Sequence, residues 1–136
     1  WAALEDWGGW WPDAHTVSGD AGNIELELEA DGELEEEWDG GAVLHGSVLT
    51  ALDNQLLRLS APLGPLQALP LNAILEVRLA PEGDATRVTL FYRVGGRAAL
   101  DLGQYAAAVD RVLGEAFPRL LAHVAPPPEP EAPEEA

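Results

Sequence analysis

The 136-residue chain contains no cysteine, no methionine and no lysine. Without cysteine there are no disulfide bonds, no thiolate catalysis and no zinc site built on sulfur ligands. Without lysine the seven basic residues are all arginine, and against 24 acidic residues they leave a formal net charge of -17. A surface this acidic repels phosphate backbones, and we therefore expect no nucleic acid among its partners.

Long hydrophobic runs are also missing. No stretch approaches about 18 consecutive apolar residues, so we expect no membrane span. The hydrophobic fraction of 47% is nevertheless too high for a disordered chain, and 136 residues suffice for one domain with a single core. We expect a cytoplasmic protein, and the use of arginine alone, with abundant alanine, leucine and proline, is typical of bacterial chains.

Motifs with metal-binding or catalytic spacing are absent from the sequence as well. No pair among His15, His45 and His123 has metal-ligand spacing, and no Ser/His/Asp set, phosphate-binding loop or dinucleotide fingerprint occurs. We therefore expect no metal and no cofactor. Loop and helix-end residues flank His15 and His123, and we expect both to be exposed.

The acidic charge is concentrated at the start of the chain. Residues 1–57 hold 14 acidic residues and no arginine, whereas residues 58–125 are close to neutral. The chain opens on Trp1 inside a pattern typical of a helix end, and we interpret it as a fragment or a processed chain. Residues 125–136 consist of proline, glutamate and alanine, which predicts a disordered tail.

Between these ends, hydrophobic periodicity predicts six strands and one long helix at about 101–124. Pro118 lies inside that helix, and we expect it to kink the helix or end its first part, because proline removes a backbone donor. Segment 61–72 has three prolines and a glycine, which predicts a loop or broken helix. The strands are expected over 24–30, 33–38, 42–50, 56–60, 73–79 and 88–94.

The first two predicted strands carry an alternating row of glutamates. A three-residue loop at 30–32 would set Leu28 opposite Leu34. In that register, three glutamates face three others across the hairpin: Glu25, Glu27 and Glu29 against Glu33, Glu35 and Glu37. Directly opposed like charges are destabilising, so we interpret this row as a solvated outer face. The alternative is a site for divalent cations or a basic partner.

Glu36 departs from this pattern because it lies on the apolar side of its strand, between Leu34 and Trp38. A two-residue turn at Gly40-Gly41 would set His45 opposite it. A buried carboxylate needs a partner, so this pairing predicts a polar pair that could serve as an acid/base couple. The alternative is a bulge or shifted register that turns Glu36 to water and leaves His45 as an ordinary strand histidine.

The order of these elements and several short motifs resemble one superfamily. The motifs are Trp1-Ala2-Ala3-Leu4, Trp10-Trp11-Pro12, Gly40-Gly41 with His45-Gly46, Leu63-Gly64-Pro65-Leu66-Gln67, Thr86-Arg87-Val88-Thr89-Leu90 with Tyr92-Arg93-Val94-Gly95-Gly96, and Val109-Asp110 with Val112-Leu113. Over residues 1 to about 124 the chain resembles the START-like superfamily, also called SRPBCC or helix-grip, and in particular its bacterial polyketide cyclase/dehydrase-like members of unknown function.

The resemblance implies an α+β helix-grip fold over residues 1–124, in which a curved antiparallel sheet of about six strands wraps around the long C-terminal helix. Two features depart from the family pattern. The family's first strand, which precedes the opening helix, has no counterpart in this sequence. Pro118 also interrupts the closing helix where the family continues it, so we expect a bent floor to the cavity.

The resemblance further implies a cavity between sheet and helix that holds a lipid, a polyketide or an aromatic metabolite. The expected ligand-binding residues are Trp10, Trp11, Trp38, His45, Leu66, Leu75, Leu90, Tyr92, Tyr105, Val109, Val112 and Phe117. Several of them could instead have a purely structural role. Trp10 and Trp11 suit a core cap as well as a gate, Tyr92 suits the core, and segment 63–71 suits core packing as well as a lid.

Three functions follow from this reading. The first is binding or transport of a small apolar molecule without catalysis. The second is a polyketide cyclase-like enzyme that uses Glu36, His45 and Tyr92. The third is a co-chaperone-like interaction domain, which predicts a protein partner.

Overall fold

The computed structural model describes residues 1–97 and 101–124, so the tail predicted at 125–136 lies outside the described residues. Two helices and six strands make up the described part. They are α1 (Ala2–Glu5), β1 (Ile24–Leu26), β2 (Glu33–Trp38), β3 (Gly41–Leu52), β4 (Leu56–Ser60), β5 (Asn72–Glu82), β6 (Ala85–Gly95) and α2 (Gly103–Val124). Short 3₁₀ turns at Trp7–Gly9, Asp13–His15, Ala21–Asn23 and Gly64–Leu66 complete the connections.

The six strands form one antiparallel sheet in the order β1-β2-β3-β4-β5-β6, so every strand lies beside its neighbours in the chain. Antiparallel pairing follows from the connections, because even the longest, residues 61–71, is shorter than the dozen or more residues that a parallel crossover needs. The sheet is followed by the long helix α2, which confirms the predicted α+β class. No helix in the described ranges is long and apolar enough to cross a membrane.

Helix α2 runs through Pro118 as a single element, so the expectation that proline would end its first part is wrong. The physical reason is exposure. Because proline has no backbone N–H, Pro118 cannot donate to the carbonyl of Gly114. Both residues are exposed to water. Solvent can therefore satisfy that carbonyl, and the cost of the missing hydrogen bond is reduced.

The register predicted for the first hairpin is also wrong. Leu26, not Leu28, lies opposite Leu34, and strand β1 ends at Leu26. The connection is a longer loop in which Asp31 adopts a positive φ of 63° and Gly32 packs so closely on the Glu27 carbonyl oxygen that a Cβ would lie 2.1 Å from it. Because the shift is two residues, every side chain keeps its predicted face.

The turn between β2 and β3 differs from the prediction by one residue. Asp39-Gly40 is the two-residue loop, Trp38 pairs with Gly41, and Gly40 has a φ of 110° that only glycine adopts readily. A β-bulge then shifts the alternation of β3 by one residue, because Leu34 pairs with Gly46 and Glu35 with Leu44, and Gly46 and Val48 are buried as a result. His45 is the extra residue of this bulge.

The two faces of the sheet differ in what they cover. The inward face packs beneath α2 and carries fully buried side chains such as Leu57, Leu59 and Leu75. The outer face carries the residues that alternate with these, including Glu35 on β2 and Arg58 on β4. The alternation predicted for the strands is therefore confirmed as the basis of the core.

A cluster of aromatic rings closes one end of the core. Trp7 and Trp10 are 1% and 2% exposed, and Trp7 lies 4.8 Å from Trp10 and 5.5 Å from Trp11 between ring centroids. Phe117 of α2 meets Trp7 edge-on at 6.1 Å. Because the indole N–H groups of Trp10 and Trp11 donate to the Ala3 and His15 carbonyls, their burial leaves no polar group unpaired.

Polar contacts also hold α2 against the N-terminal segment. The Arg119 guanidinium donates to the Trp10 carbonyl at 2.7 Å, and the His123 ring lies 3.0 Å from an Asp6 carboxylate oxygen. His15 pairs with Glu115 and is half-buried, so the expectation that it would be exposed is wrong, whereas His123 is exposed as predicted. The helix makes His15 less accessible because the turn at Asp13–His15 faces it.

We expect Trp7→Ala to lower the free energy of unfolding by about 3–5 kcal/mol, because it opens a cavity among three aromatic neighbours. Val17→Ala provides the control, since Val17 is 64% exposed, and its effect should stay within about 0.5 kcal/mol. Urea unfolding followed by tryptophan fluorescence and circular dichroism measures both variants. Equal small losses for the two would contradict a cluster that stabilises the fold.

Candidate functional site

Tyr92 fixes the segment that connects β4 to β5. Its hydroxyl donates to the Ala61 carbonyl at 2.7 Å and accepts from the Leu63 backbone N–H at 3.0 Å. Burial raises the pKa of the Tyr92 phenol, so the group stays neutral. The Tyr92 hydroxyl therefore has a structural role in the core, and the Tyr92 ring forms one wall of a pocket.

This pocket opens between β6, the turn at Gly64–Leu66 and the first half of α2, and we call it the β6–α2 pocket. Its volume is ≈ 210 Å³. The lining is mostly apolar, with two tyrosines and one carboxylate: Leu66, Tyr92, Val94, Leu102, Tyr105, Ala106, Val109, Asp110 and Leu113. Four of the predicted ligand-binding residues meet here, namely Leu66, Tyr92, Tyr105 and Val109.

The segment after β4 forms one side of this pocket. Leu63 and Leu66 are 6% and 1% exposed, and between Leu63, Pro65 and Val112 only ≈ 20 Å³ remains empty. The segment is therefore packed against α2, as the core-packing alternative predicts. Gln67 ties it to the sheet through a 2.9 Å bond from its side-chain amide to the Leu44 carbonyl.

A second apolar pocket of ≈ 510 Å³ lies at the other end of α2. Side chains from α1, the β5–β6 hairpin and the last turns of α2 line it: Trp1, Ala3, Leu4, Asn54, Leu79, Asp84, Ala85, Thr86, Val88, Leu120, Leu121 and Val124. None of the residues predicted from the sequence to bind a ligand is among them. The two pockets are separated by the aromatic cluster and the packed middle of α2.

The remaining predicted ligand-binding residues lie elsewhere. Leu75 is fully buried beneath the sheet surface, Leu90 is half-buried against the core, and Val112 contacts the segment after β4. Trp38 is half-buried and its ring lies against Gly41, where a Cβ would be 2.6 Å from it. Trp10, Trp11 and Phe117 belong to the aromatic cluster.

Glu36 and His45 do form the predicted pair. The Glu36 carboxylate is completely buried, and the His45 ring nitrogen Nε2 lies 2.8 Å from its Oε1 atom. The same carboxylate accepts the backbone N–H groups of Val17, at 3.1 Å, and of Ser18, at 2.6 Å. Neither residue lines the two apolar pockets. The pair therefore binds the loop before β1 onto the sheet.

The hydrogen bonds decide the ionisation of Glu36. Burial alone would raise the pKa of this carboxyl, but the donors of Ser18, His45 and Val17 outweigh burial and lower its pKa to about 2. Glu36 is consequently a charged group at neutral pH, and its oxygens already accept several donors. This arrangement stabilises the loop and leaves the carboxylate poorly placed to take a proton from a substrate.

Glu76 is a buried acid that the sequence pattern did not single out. It points to the outer face, where Arg58 lies 2.6 Å and Arg78 2.9 Å from its carboxylate oxygens. Hydrogen bonds from Arg58 are the main reason that the pKa of Glu76 is lowered. Two features of the sequence could have identified Glu76: Arg58 on the predicted neighbouring strand, and Arg78 two positions later on the same strand.

The chemistry open to these residues is limited. Within residues 1–97 and 101–124, no group of three or more His, Asp or Glu side chains is placed to hold a metal ion. Tyr92 is held on β6 by the segment after β4, whereas Glu36 and His45 are held by the loop before β1, so the three proposed catalytic residues do not share one pocket. No protein-family model and no curated protein matches this chain.

We expect Glu36→Gln to lower the free energy of unfolding at pH 7 by about 2 kcal/mol, because charge-assisted bonds to buried donors are lost. The difference from wild type should depend on pH. Since the pKa of Glu36 falls from its ordinary value of 4.5 to about 2 on folding, its stabilisation is complete above pH 4.5 and disappears as the pH falls towards 2.

Unfolding curves between pH 2 and pH 7 measure this effect. Glu29→Gln is the control, because Glu29 is exposed, and its effect should stay within about 0.5 kcal/mol at every pH. A Glu36→Gln deficit that stays constant from pH 7 to pH 2 would show that the charge of Glu36 does not stabilise the fold.

Proposed function

We propose that this chain is a helix-grip-like domain that binds a small apolar molecule in the β6–α2 pocket, without catalysis. The observation that carries the proposal is an apolar, tyrosine-walled pocket of ≈ 210 Å³ between the sheet and the C-terminal helix. Ligand sites are typically concave and mainly apolar, with a few polar groups at fixed positions. The element order of hairpins followed by one long helix supports the helix-grip assignment.

The volume narrows the ligand class. An apolar cavity of about 150 Å³ holds benzene, so ≈ 210 Å³ suits one substituted aromatic ring. Drug-sized ligands occupy about 300–1,000 Å³, and a full-length lipid or a multi-ring polyketide would not fit inside. We therefore favour a single-ring aromatic molecule over the larger ligand classes.

The polar groups favour an aromatic ligand with at most one polar substituent. No buried side-chain nitrogen or oxygen in the described part of the chain lacks a hydrogen-bond partner, so the pocket offers no unpaired polar group in its depth. The polar atoms that remain are the Tyr105 hydroxyl and the Asp110 carboxylate of the exposed helix surface. A phenol or indole could place its ring inside and its O–H or N–H towards Asp110.

The hydrogen-bond network supports binding over reaction. The Tyr92 hydroxyl is engaged by two backbone groups, and the Glu36 carboxylate by the loop and His45. A general base must lie within hydrogen-bond reach of the proton that it removes. Since the acid/base pair does not line the pocket, a cyclase-like reaction at this site would need another base.

We expect phenol or indole to bind saturably to the wild-type chain, and Ala106→Phe to weaken this binding at least about tenfold by filling the pocket. Ala107→Phe adds the same side chain to the neighbouring, exposed helix position and should bind as wild type does. Thermal shift screens the ligands, and titration followed by ¹H–¹⁵N NMR measures affinity and location, with decanoate as a long-chain comparison.

Shifts confined to residues of the β6–α2 pocket and lost in Ala106→Phe support the proposal. Equal binding to both variants, or no saturable response to either aromatic ligand, would overturn it. Tighter binding of decanoate, with shifts around Leu120, would instead assign the ligand to the larger second pocket.

A further inference from the structure

The outer face of the sheet carries exposed leucines on its central strand. Leu44, Leu49 and Leu52 of β3 are 48%, 49% and 49% exposed. Leu44 pairs with the outward Glu35, Leu52 pairs with Leu56, and Leu49 is the extra residue of a second bulge. Single exposed apolar residues are ordinary, but three large ones along one strand of one face indicate a contact surface.

On one side of β3 this face is uniformly acidic. We call the outward side chains of β1 and β2 the acidic half: Glu25, Glu33, Glu35 and Glu37. Hydrogen bonding with Glu33 and then with Glu37 raises the pKa of Glu35, which shows that these carboxylates crowd one another. A recess of ≈ 230 Å³, lined by Gly22, Asn23 and three of the glutamates, opens here.

On the other side of β3 the same face is basic. We call the outward arginines of β4–β6 the basic half: Arg58, Arg78, Arg87 and Arg93. They are four of the chain's seven arginines, and they outnumber the two outward acids of these strands, Glu76 and Glu82. Phe91 lies among them, with Arg78 and Arg93 at 5.1 Å and 5.7 Å from its ring centroid.

The two halves lie diagonally across the face. The glutamates flank the first part of β3, where Glu37 pairs with Ala42 and Glu33 with Ser47. Three of the four arginines flank its second part, where Thr50 pairs with Arg58, whereas Arg93 lies level with Ser47 on β6. Consider a twofold axis that lies in the plane of the face, crosses β3 near Leu49 and runs perpendicular to this diagonal. Rotation about this axis exchanges the acidic half with the basic half.

We propose that this outer face is the interface of a symmetric dimer of the chain. The face is acidic on one side, apolar in the middle and basic on the other side. When a second copy is rotated about that axis, unlike charges face each other, which is the condition for an isologous interface. The arginines of one copy then lie over the glutamates of the other, and Leu49 lies beside its own copy. Leu49 forms the apolar centre, and Leu44 and Leu52 lie on either side of it along β3.

The size of the face is sufficient for a stable contact. Six strands about 4.8 Å apart, over about eight residues of about 3.4 Å each, cover roughly 650 Å² per copy. The total of roughly 1,300 Å² is within the range of about 1,200–2,000 Å² for standard protein interfaces.

The net charge of -17 opposes association in general, because strongly charged proteins repel their own copies. A dimer is therefore favoured through a surface where arginines offset this charge, and in the described part of the chain the outer face of the sheet carries four of them. A second copy also explains both halves at once, whereas an acidic partner would satisfy the basic half alone and a basic partner the acidic half alone.

Charge reversal tests the interface by analytical ultracentrifugation at about 100 μM chain. Wild type should be dimeric. Glu35→Arg/Glu37→Arg and Arg78→Glu/Arg87→Glu should each dimerise at least about tenfold more weakly, because the first removes the net charge of the acidic half and the second makes the basic half acidic. Mixing the two variants should restore a heterodimer. Arg111→Glu, an exposed reversal on α2, should remain dimeric as wild type does.

Cross-linking tests the axis independently, because the chain contains no native cysteine. Leu49→Cys should form a disulfide-linked dimer on mild oxidation, whereas Val17→Cys, which is more exposed but off this face, should not. A wild-type chain that is monomeric at this concentration would overturn the proposal, whatever other partner the face then has. So would a dimer that survives both charge reversals or that cross-links equally through Val17→Cys.

Discussion

The buried carboxylate of Glu36 is the contact on which the placement of the N-terminal segment depends. It holds the backbone at Val17 and Ser18, and these residues follow the turn that carries His15. The same segment presents the Trp10 carbonyl to Arg119 and the tryptophan rings to Phe117. Helix α2 is therefore positioned against a segment that is itself fixed to the sheet through one charge.

The bulge at His45 makes this contact fit. Without an extra residue, strict alternation from Val43 onwards would turn Gly46 and Val48, which are both buried, to the outer face. The bulge corrects the alternation and at the same time brings the imidazole to Glu36. A single backbone irregularity thus serves both the core and the buried charge.

Alternation of apolar residues was sufficient to predict the class, the six strands and the long helix, because burial imposes a period of two on a half-covered strand. Registers were not predictable to the residue. The loop before β2 is longer than the turn chemistry indicates, because the backbones of Asp31 and Gly32 form hydrogen bonds with Val48, which no sequence pattern specifies. Glu36 and His45 were paired correctly from the sequence, although by a turn that the structure does not use.

The candidate site was less predictable than the fold. Helical and strand periodicity placed Tyr92, Tyr105 and Val109 on inward faces, and these residues do meet in the β6–α2 pocket. Periodicity cannot tell a cavity from a filled core, because that difference depends on how side-chain volumes interlock. Glu76 was missed for a related reason: its burial is created by Arg58 on the neighbouring strand, and pairing is not visible from one strand alone.

The order of the sheet has a consequence for how the chain folds. Each strand pairs with its neighbour in sequence, so the hairpins can form through local contacts with small loop-closure entropy. The bond between Arg119 and Trp10 instead spans 109 residues. Docking of α2 against the N-terminal segment is thus the step with the largest loop-closure entropy, and it must follow or accompany formation of the sheet whose inward face the helix covers.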